Sequence, residues 1–174
     1  MDKDRRFILT TLLILLLLDV HSFAQNPTYQ LTVESGGFMD FKIYSLNRYQ
    51  GGLSYTNWTR LKIVYKDTTA GTQTDKWFLD FKANTPNFVS SVPERNLPLN
   101  YVSIEVSDAD GNLASTATIV SDPQPLSDEY TNIIDMGDEG TYRVNITYRL
   151  DSVLIGHLPD YYNTELIFKM DTIP

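Results

Sequence analysis

The stretch from residue 140 to residue 150, GTYRVNITYRL, alternates apolar and polar side chains with a period of two. Its apolar members are Tyr142, Val144, Ile146, Tyr148 and Leu150, and threonine, arginine and asparagine occupy the positions between them. Successive side chains of a β-strand point to opposite faces, so this pattern predicts a half-buried strand. A chain that repeats the pattern has to cover one face of a sheet with a second layer.

The same period recurs along most of the chain, and no long segment shows a helical period. Turn residues, mainly glycine, proline, aspartate and asparagine, separate the alternating segments. One of these separators, RYQGGLSYTN (48–57), is predicted to be a loop. The predicted strands are TYQLTVE (28–34), FMDFKIYSL (38–46), RLKIVYK (60–66), KWFLDFKA (76–83), YVSIEVS (101–107), LASTATIV (113–120), YTNII (130–134), residues 140–150 and YYNTELIFKM (161–170). The pattern indicates an all-β fold: an antiparallel β-sandwich, immunoglobulin-like or pilin-like, of about 8–10 short strands.

The last predicted strand carries Tyr162, Leu166, Phe168 and Met170 on one face. Burying each such side chain contributes about 1.5–3 kcal/mol to stability. We therefore expect it to be a core strand, although it lies close to the end of the chain.

The first 24 residues have the three parts of a secretory signal peptide. A basic start (Lys3, Arg5, Arg6) precedes an apolar run over residues 8–18, and Ala24 ends a small-residue cleavage pattern. The alternative is an uncleaved membrane anchor, but the apolar run is shorter than the roughly 20 residues that span a bilayer. The sequence predicts a cleaved signal peptide at 1–24 and a single β-sandwich domain at 25–174.

Charge and cysteine content narrow the compartment and the partners. The net charge of −8 argues against nucleic acid, whose phosphates would repel the chain. The chain has no cysteine, which for an exported protein favours a bacterial one over a small disulfide-rich animal domain. We expect a location in the periplasm, on the outer surface or outside the cell, with no transmembrane helix after cleavage.

The residues that usually perform catalysis are scarce. Without cysteine, and with His157 as the single histidine after cleavage, a Ser-His-Asp arrangement would have to use His157. No serine lies in a G-x-S-x-G pattern. The sequence therefore predicts a non-enzymatic protein, with a small hydrolase as the least favoured alternative.

One turn resembles the first half of a calcium loop. The segment DADGN (108–112) offers Asp108, Asp110 and Asn112 as oxygen ligands, but it lacks the distal glutamate of such loops. A metal-free β-turn is the ordinary interpretation, so no cofactor is expected, and calcium at this turn is the alternative.

Four aromatic residues fall in or beside predicted loops: Tyr49, Tyr55, Trp58 and Tyr130. Exposed rings of this kind stack on sugar faces or anchor protein interfaces. The alternative is that they pack beneath the predicted loop at 47–59. The four residues form the candidate site for a glycan or another ligand.

Three segments carry a resemblance to known proteins: WFLDFKAN (77–84), NLPLNYVSI (96–104) and the two closing strands. They resemble small secreted β-sandwich proteins of Bacteroidota and, more distantly, pilus subunits of the chaperone–usher and spore-coat-U type. The resemblance implies a sandwich that is completed by a neighbour's N-terminal strand. Residues 25–34, with Tyr29, Leu31 and Val33, are then the candidate donor strand. The ordinary interpretation is that they form the domain's own first strand.

The leading hypothesis is an exported structural or adhesive component of the bacterial cell envelope, in one form a pilus or fibre subunit. Its partners would be copies of itself or other envelope proteins, joined by strand addition. The second hypothesis is a carbohydrate- or ligand-binding module that uses the loop aromatics.

Overall fold

The computed structural model describes residues 27–38, 51–67, 75–90, 92, 95–113, 115–151 and 162–173. The predicted signal peptide, Tyr49, His157 and most of the predicted strand at 38–46 lie outside these ranges. The strands are β1 (Thr28–Ser35), β2 (Leu53–Lys66), β3 (Lys76–Ala83), β4 (Asn87–Ser90), β5 (Asn96–Pro98), β6 (Val102–Asp108), β7 (Thr118–Ile119), β8 (Gln124–Pro125), β9 (Thr131–Gly137), β10 (Gly140–Leu150), β11 (Tyr162–Asn163) and β12 (Leu166–Ile173). A 3-10 helix (Leu99–Tyr101) lies between β5 and β6.

The strands form antiparallel sheets that pack together, which confirms the predicted all-β sandwich. A five-stranded sheet has the order β1-β2-β10-β6-β8, and a four-stranded sheet has the order β12-β3-β9-β7. A small sheet, β11-β4-β5, accompanies them. The described residues contain more strands than the sequence predicts, because β5, β7, β8 and β11 have only two or three residues each.

The core lies between the two larger sheets. The predicted inward residues of β2 (Leu61, Ile63, Tyr65) and of β3 (Trp77, Leu79, Phe81, Ala83) are buried, as are those of β6 and β10. The Trp77 and Tyr142 rings join the two sheets, with 5.8 Å between their centroids. The Trp77 indole Nε1–H donates a hydrogen bond to the Asp138 backbone oxygen at 2.8 Å, so the one polar group of this fully buried side chain is satisfied.

Two polar side chains of β10 are also buried, where the alternating pattern predicts exposure. They are Asn145 and Thr147 on the outer face of the five-stranded sheet. Arg60 Nε donates to Asn145 Oδ1 at 3.2 Å, and the Asn57 backbone N–H donates to Thr147 Oγ1 at 3.0 Å. Neighbouring groups of β2 therefore cover these side chains and satisfy them.

Strand β2 begins earlier than the sequence predicts. The prediction of a loop at 47–59 is wrong from Leu53 onward, because β2 pairs with β10 from Leu53 opposite Leu150. The pairing is interrupted by a bulge between Ile146 and Tyr148, where Asn57 adopts a positive φ of 52°. A strand that carries such a bulge loses its regular alternation, which explains the loop prediction.

Two further predicted strands differ in extent. Of the segment 113–120 only Thr118–Ile119 is a strand, because the Thr116 and Ala117 amides turn back to the Leu113 carbonyl at 2.9 Å each. The predicted final strand is divided between β11 and β12, which belong to different sheets. β12 ends the four-stranded sheet among the described residues, and its Met170 is buried while Leu166 and Phe168 pack against the core, as expected of a core strand.

Candidate binding surface along strand β1

Strand β1 forms one edge of the five-stranded sheet. It pairs antiparallel with β2, from Thr28 opposite Lys66 to Ser35 opposite Arg60. No further strand lies beyond it among the residues that the structure describes. Leu31 is half-buried, whereas the other seven residues of β1 are exposed. Among the described residues, the backbone of β1 is thus hydrogen-bonded on one side only, which leaves its other side as an edge to which a strand could be added.

The apolar side chains of β1 face the interior of the sandwich without being covered by it. Tyr29, Leu31 and Val33 lie opposite Tyr65, Ile63 and Leu61, and opposite residues of a strand pair share a face. The three β2 residues are fully buried. By contrast, Tyr29 is 52% exposed and Val33 is 51% exposed. The buried interior therefore ends at β2, and the apolar side chains of β1 lie beyond it, largely exposed.

Two further exposed aromatic residues lie near the end of β1. The Trp58 indole N–H donates to the Phe38 carbonyl oxygen at 2.8 Å, which holds these two residues side by side. Phe38 is 81% exposed and Trp58 is 41% exposed. We call Tyr29, Leu31, Val33, Phe38 and Trp58 the open-edge strip. It contains four of the nine exposed large hydrophobic residues in the described part of the chain.

The other three edges of the two larger sheets carry features that oppose strand addition. β12 presents Lys169 and Asp171, which form an ion pair at 2.9 Å. That pair lowers the pKa of the Asp171 carboxyl. The backbone N–H of Thr172, which donates to the same carboxylate, adds to the effect. β7 and β8 have two residues each, and β8 includes Pro125. Short strands, charges and proline are the usual means of blocking an edge, and β1 has none of them on its apolar face.

The one charge of β1 is already neutralised within the sheet. Glu34 accepts from Arg143 Nε at 3.1 Å, and Arg143 also binds Asp110 at 3.2 Å. The hydrogen bonds to Asp110 and Glu34 raise the pKa of Arg143. Glu34 lies on the polar outer face, opposite to Tyr29, Leu31 and Val33, so it does not discourage apolar contacts on their face.

A tight turn positions Phe38 beside Trp58. Gly36 has a φ of +70°, and its carbonyl oxygen accepts from Thr59 Oγ1 at 2.6 Å. The same threonine oxygen lies 3.0 Å from the Tyr148 hydroxyl in the buried core. Burial raises the pKa of Tyr148, and the hydrogen bond with Thr59 opposes that rise. The strip is therefore anchored to the core through Gly36, Thr59 and Tyr148.

Replacing Gly36 with alanine is expected to destabilise the domain by about 2 kcal/mol or more, since an alanine at positive φ is strained. An added Cβ would also lie 2.1 Å from the Trp58 backbone oxygen. The control is Gly37→Ala, where nothing lies within 4 Å of the added atom. Urea unfolding of both variants measures the difference, and equal stabilities would contradict this account of the turn.

The aromatic site predicted from sequence is brought together only in part. Tyr55 and Trp58 meet edge to face, with 5.3 Å between ring centroids, but they lie on strand β2 rather than in a loop. Tyr130 directly precedes β9, and its ring lies beneath Lys82 at 4.8 Å and Lys169 at 5.7 Å. Those lysines belong to the four-stranded sheet, so Tyr130 does not join the pair. Phe38 was not among the predicted site residues, although its place directly after Gly36-Gly37 marks it as lying beyond the end of a strand.

The acidic turn at 108–112 uses its oxygens to build the turn. Asp108 accepts from the backbone amides of Asp110 at 3.1 Å, Gly111 at 2.9 Å and Leu113 at 2.6 Å. Asp110 forms an ion pair with Arg143, and the side-chain amide of Asn112 donates to the Thr141 backbone carbonyl at 3.5 Å. Within the described ranges, no three potential metal-ligating side chains cluster. The oxygens of Asp108 and Asp110 thus hold the turn, and calcium at this turn stays an untested alternative.

Comparison with known proteins does not assign the chain to a family. No protein-family model matches the chain, and no curated protein matches it significantly. In the part of the chain that the structure describes, no helix has the length and hydropathy needed to cross a bilayer. The class that the fold defines is an all-β sandwich, and the open-edge strip is its most distinctive surface.

Proposed function

We propose that the chain is an exported, non-enzymatic structural or adhesive component of the bacterial cell envelope that joins its neighbours by strand addition at β1. The observation that carries the proposal is the state of β1. It is an eight-residue edge strand with an unprotected apolar face, beside an exposed phenylalanine and tryptophan. Main-chain hydrogen bonds along such an edge provide affinity, and the alternating side chains provide specificity. The signal-peptide pattern at 1–24 supports the proposed location.

The geometry favours addition of a partner strand to the edge of β1 over donation of β1 itself to a neighbouring copy. A donor strand would have to leave its own sheet, and β1 is paired with β2 along its whole length. The side chains of β1 contribute little to the core, since Leu31 alone is half-buried. Adding a partner strand to this edge keeps the existing pairing and brings apolar side chains of the partner beside those of β1.

A charge placed within the strip tests the proposal. In Val33→Lys, a lysine on the apolar face should weaken self-association at least about tenfold, because a buried ammonium without a partner is costly. The matched control is Gln30→Lys, which adds the same charge to the exposed outer face of β1. Sedimentation equilibrium measures association, and thermal melting verifies that both variants fold. If Val33→Lys associates as strongly as the control does, β1 is not the contact.

A second candidate function is binding of a glycan by Tyr55 and Trp58. The observation that favours it is the exposed Trp58 ring, held by Tyr55 and by its hydrogen bond to Phe38. A glycan array tests it with Trp58→Ala and, as a control, Tyr130→Ala on the other sheet. Glycan binding that is lost in Trp58→Ala alone, without a change in melting temperature, would establish this function. No binding by the unaltered chain would exclude it for the glycans on the array.

A further inference from the structure

We propose that the partner of β1 is β1 of a second copy, paired antiparallel about a two-fold axis at Leu31. The two five-stranded sheets would then form one continuous sheet. This inference rests on the proposed function, since it names the partner and the register of the same edge. It follows from three properties of β1: its side-chain order, its charge and the position of its bulge.

The side-chain order makes β1 complementary to itself. In an antiparallel pair centred on Leu31, each Tyr29 lies opposite the other copy's Val33, and the two Leu31 side chains meet. All of these side chains then lie on one face, as sheet continuity requires. Tyr29 and Val33, the two half-exposed apolar residues of β1, thereby cover each other. A large aromatic ring beside a β-branched side chain is a favourable cross-strand pair.

The charge of β1 permits this pairing. Glu34 is the one charged residue of the strand, and in this register it lies opposite Thr28 of the second copy. It does not meet the other Glu34, and Arg143 already neutralises it at 3.1 Å. Like charges directly opposite each other would be destabilising, and this register contains none.

The bulge between Val33 and Ser35 sets the length of the new ladder. It disturbs the regular backbone after Val33 and is followed by the turn at Gly36. A register centred on Leu31 keeps the pairing within residues 28–34, ahead of that turn. It also brings Tyr29 of the second copy next to Val33, at the end of β1 from which the chain leads to Phe38 and Trp58.

Single cysteines test the register directly, because the chain has no cysteine of its own. The protein used is the chain from residue 25 onward, which contains every described residue. Opposite residues of an antiparallel pair have Cα atoms about 4.5–5.5 Å apart, which suits a disulfide. On mild oxidation, Leu31→Cys should form a covalent dimer. Tyr29→Cys alone should form at least about tenfold less dimer, because its symmetry mate is Val33 rather than Tyr29.

A mixed oxidation keeps the test independent of the half-buried Leu31. Equal amounts of Tyr29→Cys and Val33→Cys should give the mixed dimer, in at least about tenfold excess over either homodimer. Association of the unaltered chain without these cross-links would overturn the register and leave the proposed function standing. A ladder of increasing masses would show strand donation and overturn the closed dimer. A monomer at every concentration would overturn this dimer and, with it, the self-associating form of the proposed function.

Discussion

A chain truncated after Asn163 is expected not to fold. The truncation removes β12, which pairs with all of β3 from Leu166 opposite Ala83 to Ile173 opposite Lys76. It also uncovers the four inner residues of β3, which are among the most deeply buried in the protein. Burial of Met170 alone contributes about 1.5–3 kcal/mol. Because the net stability of a domain is only about 5–15 kcal/mol, the loss of a whole paired strand should exceed it.

Circular dichroism and thermal melting measure this outcome. The control is a chain that ends at Thr172, which keeps Leu166, Phe168 and Met170 and loses two terminal residues. The control should melt cooperatively, and the longer truncation should show no cooperative transition. A soluble, monomeric truncation that melts cooperatively would show that the sandwich does not need β12.

Trp77→Ala is expected to cost about 3–5 kcal/mol of unfolding free energy, the usual loss for a buried aromatic residue replaced by alanine. Trp77 is fully buried, and its ring contacts Tyr142 across the two sheets. Its indole N–H is bonded to the Asp138 carbonyl, which would be left without that donor. The ring also fills the space over Gly137, where an added Cβ would lie 2.1 Å from Trp77 Cε2. The substitution thus opens a cavity where the two sheets meet.

The neighbouring residue provides the matched control. Phe78 is also aromatic and lies on the same strand, but it points to the outer face and is only half-buried. Phe78→Ala should therefore cost clearly less than Trp77→Ala in the same denaturant series. If the two variants lose equal stability, Trp77 is not the centre of the core.

The parts of the fold that sequence reasoning predicts correctly are those that alternation alone encodes. Leu61, Ile63, Trp77 and Leu79 are buried because each lies on the apolar face of a regular strand. Such a pattern is local, so it identifies the strands and their inner faces. It also predicts the sandwich, since several one-sided sheets have to cover one another.

The parts that sequence reasoning misses depend on contacts between distant residues. In the bulge of β2, the Asn57 backbone N–H bonds to Thr147, which lies 90 positions away in the sequence. The bulge interrupts the alternation, so the sequence pattern does not reveal the strand that contains Tyr55 and Trp58. The aromatic site divides because strand order places Tyr130 on the other sheet. Strand order likewise makes β1 an edge, and no local pattern distinguishes an edge strand from a central one with the same alternation.

The edge position of β1 changes the meaning of its sequence. Within a central strand, Tyr29, Leu31 and Val33 would be ordinary core residues. At an edge they form an apolar face on which Tyr29 and Val33 are half-exposed, while the three other edges of the described sheets carry charge or proline or are very short. This contrast within one molecule is the reason for assigning the contact surface to β1 rather than to β12.

The solution mass of the chain from residue 25 onward, measured by sedimentation equilibrium over a range of concentrations, tests this account most directly. We predict a reversible association that Val33→Lys weakens and Gln30→Lys does not. The same unaltered chain, folded and strictly monomeric at every concentration, would contradict the proposed assembly. The exposed Trp58 and its partner Tyr55 would then be the surface to test for function.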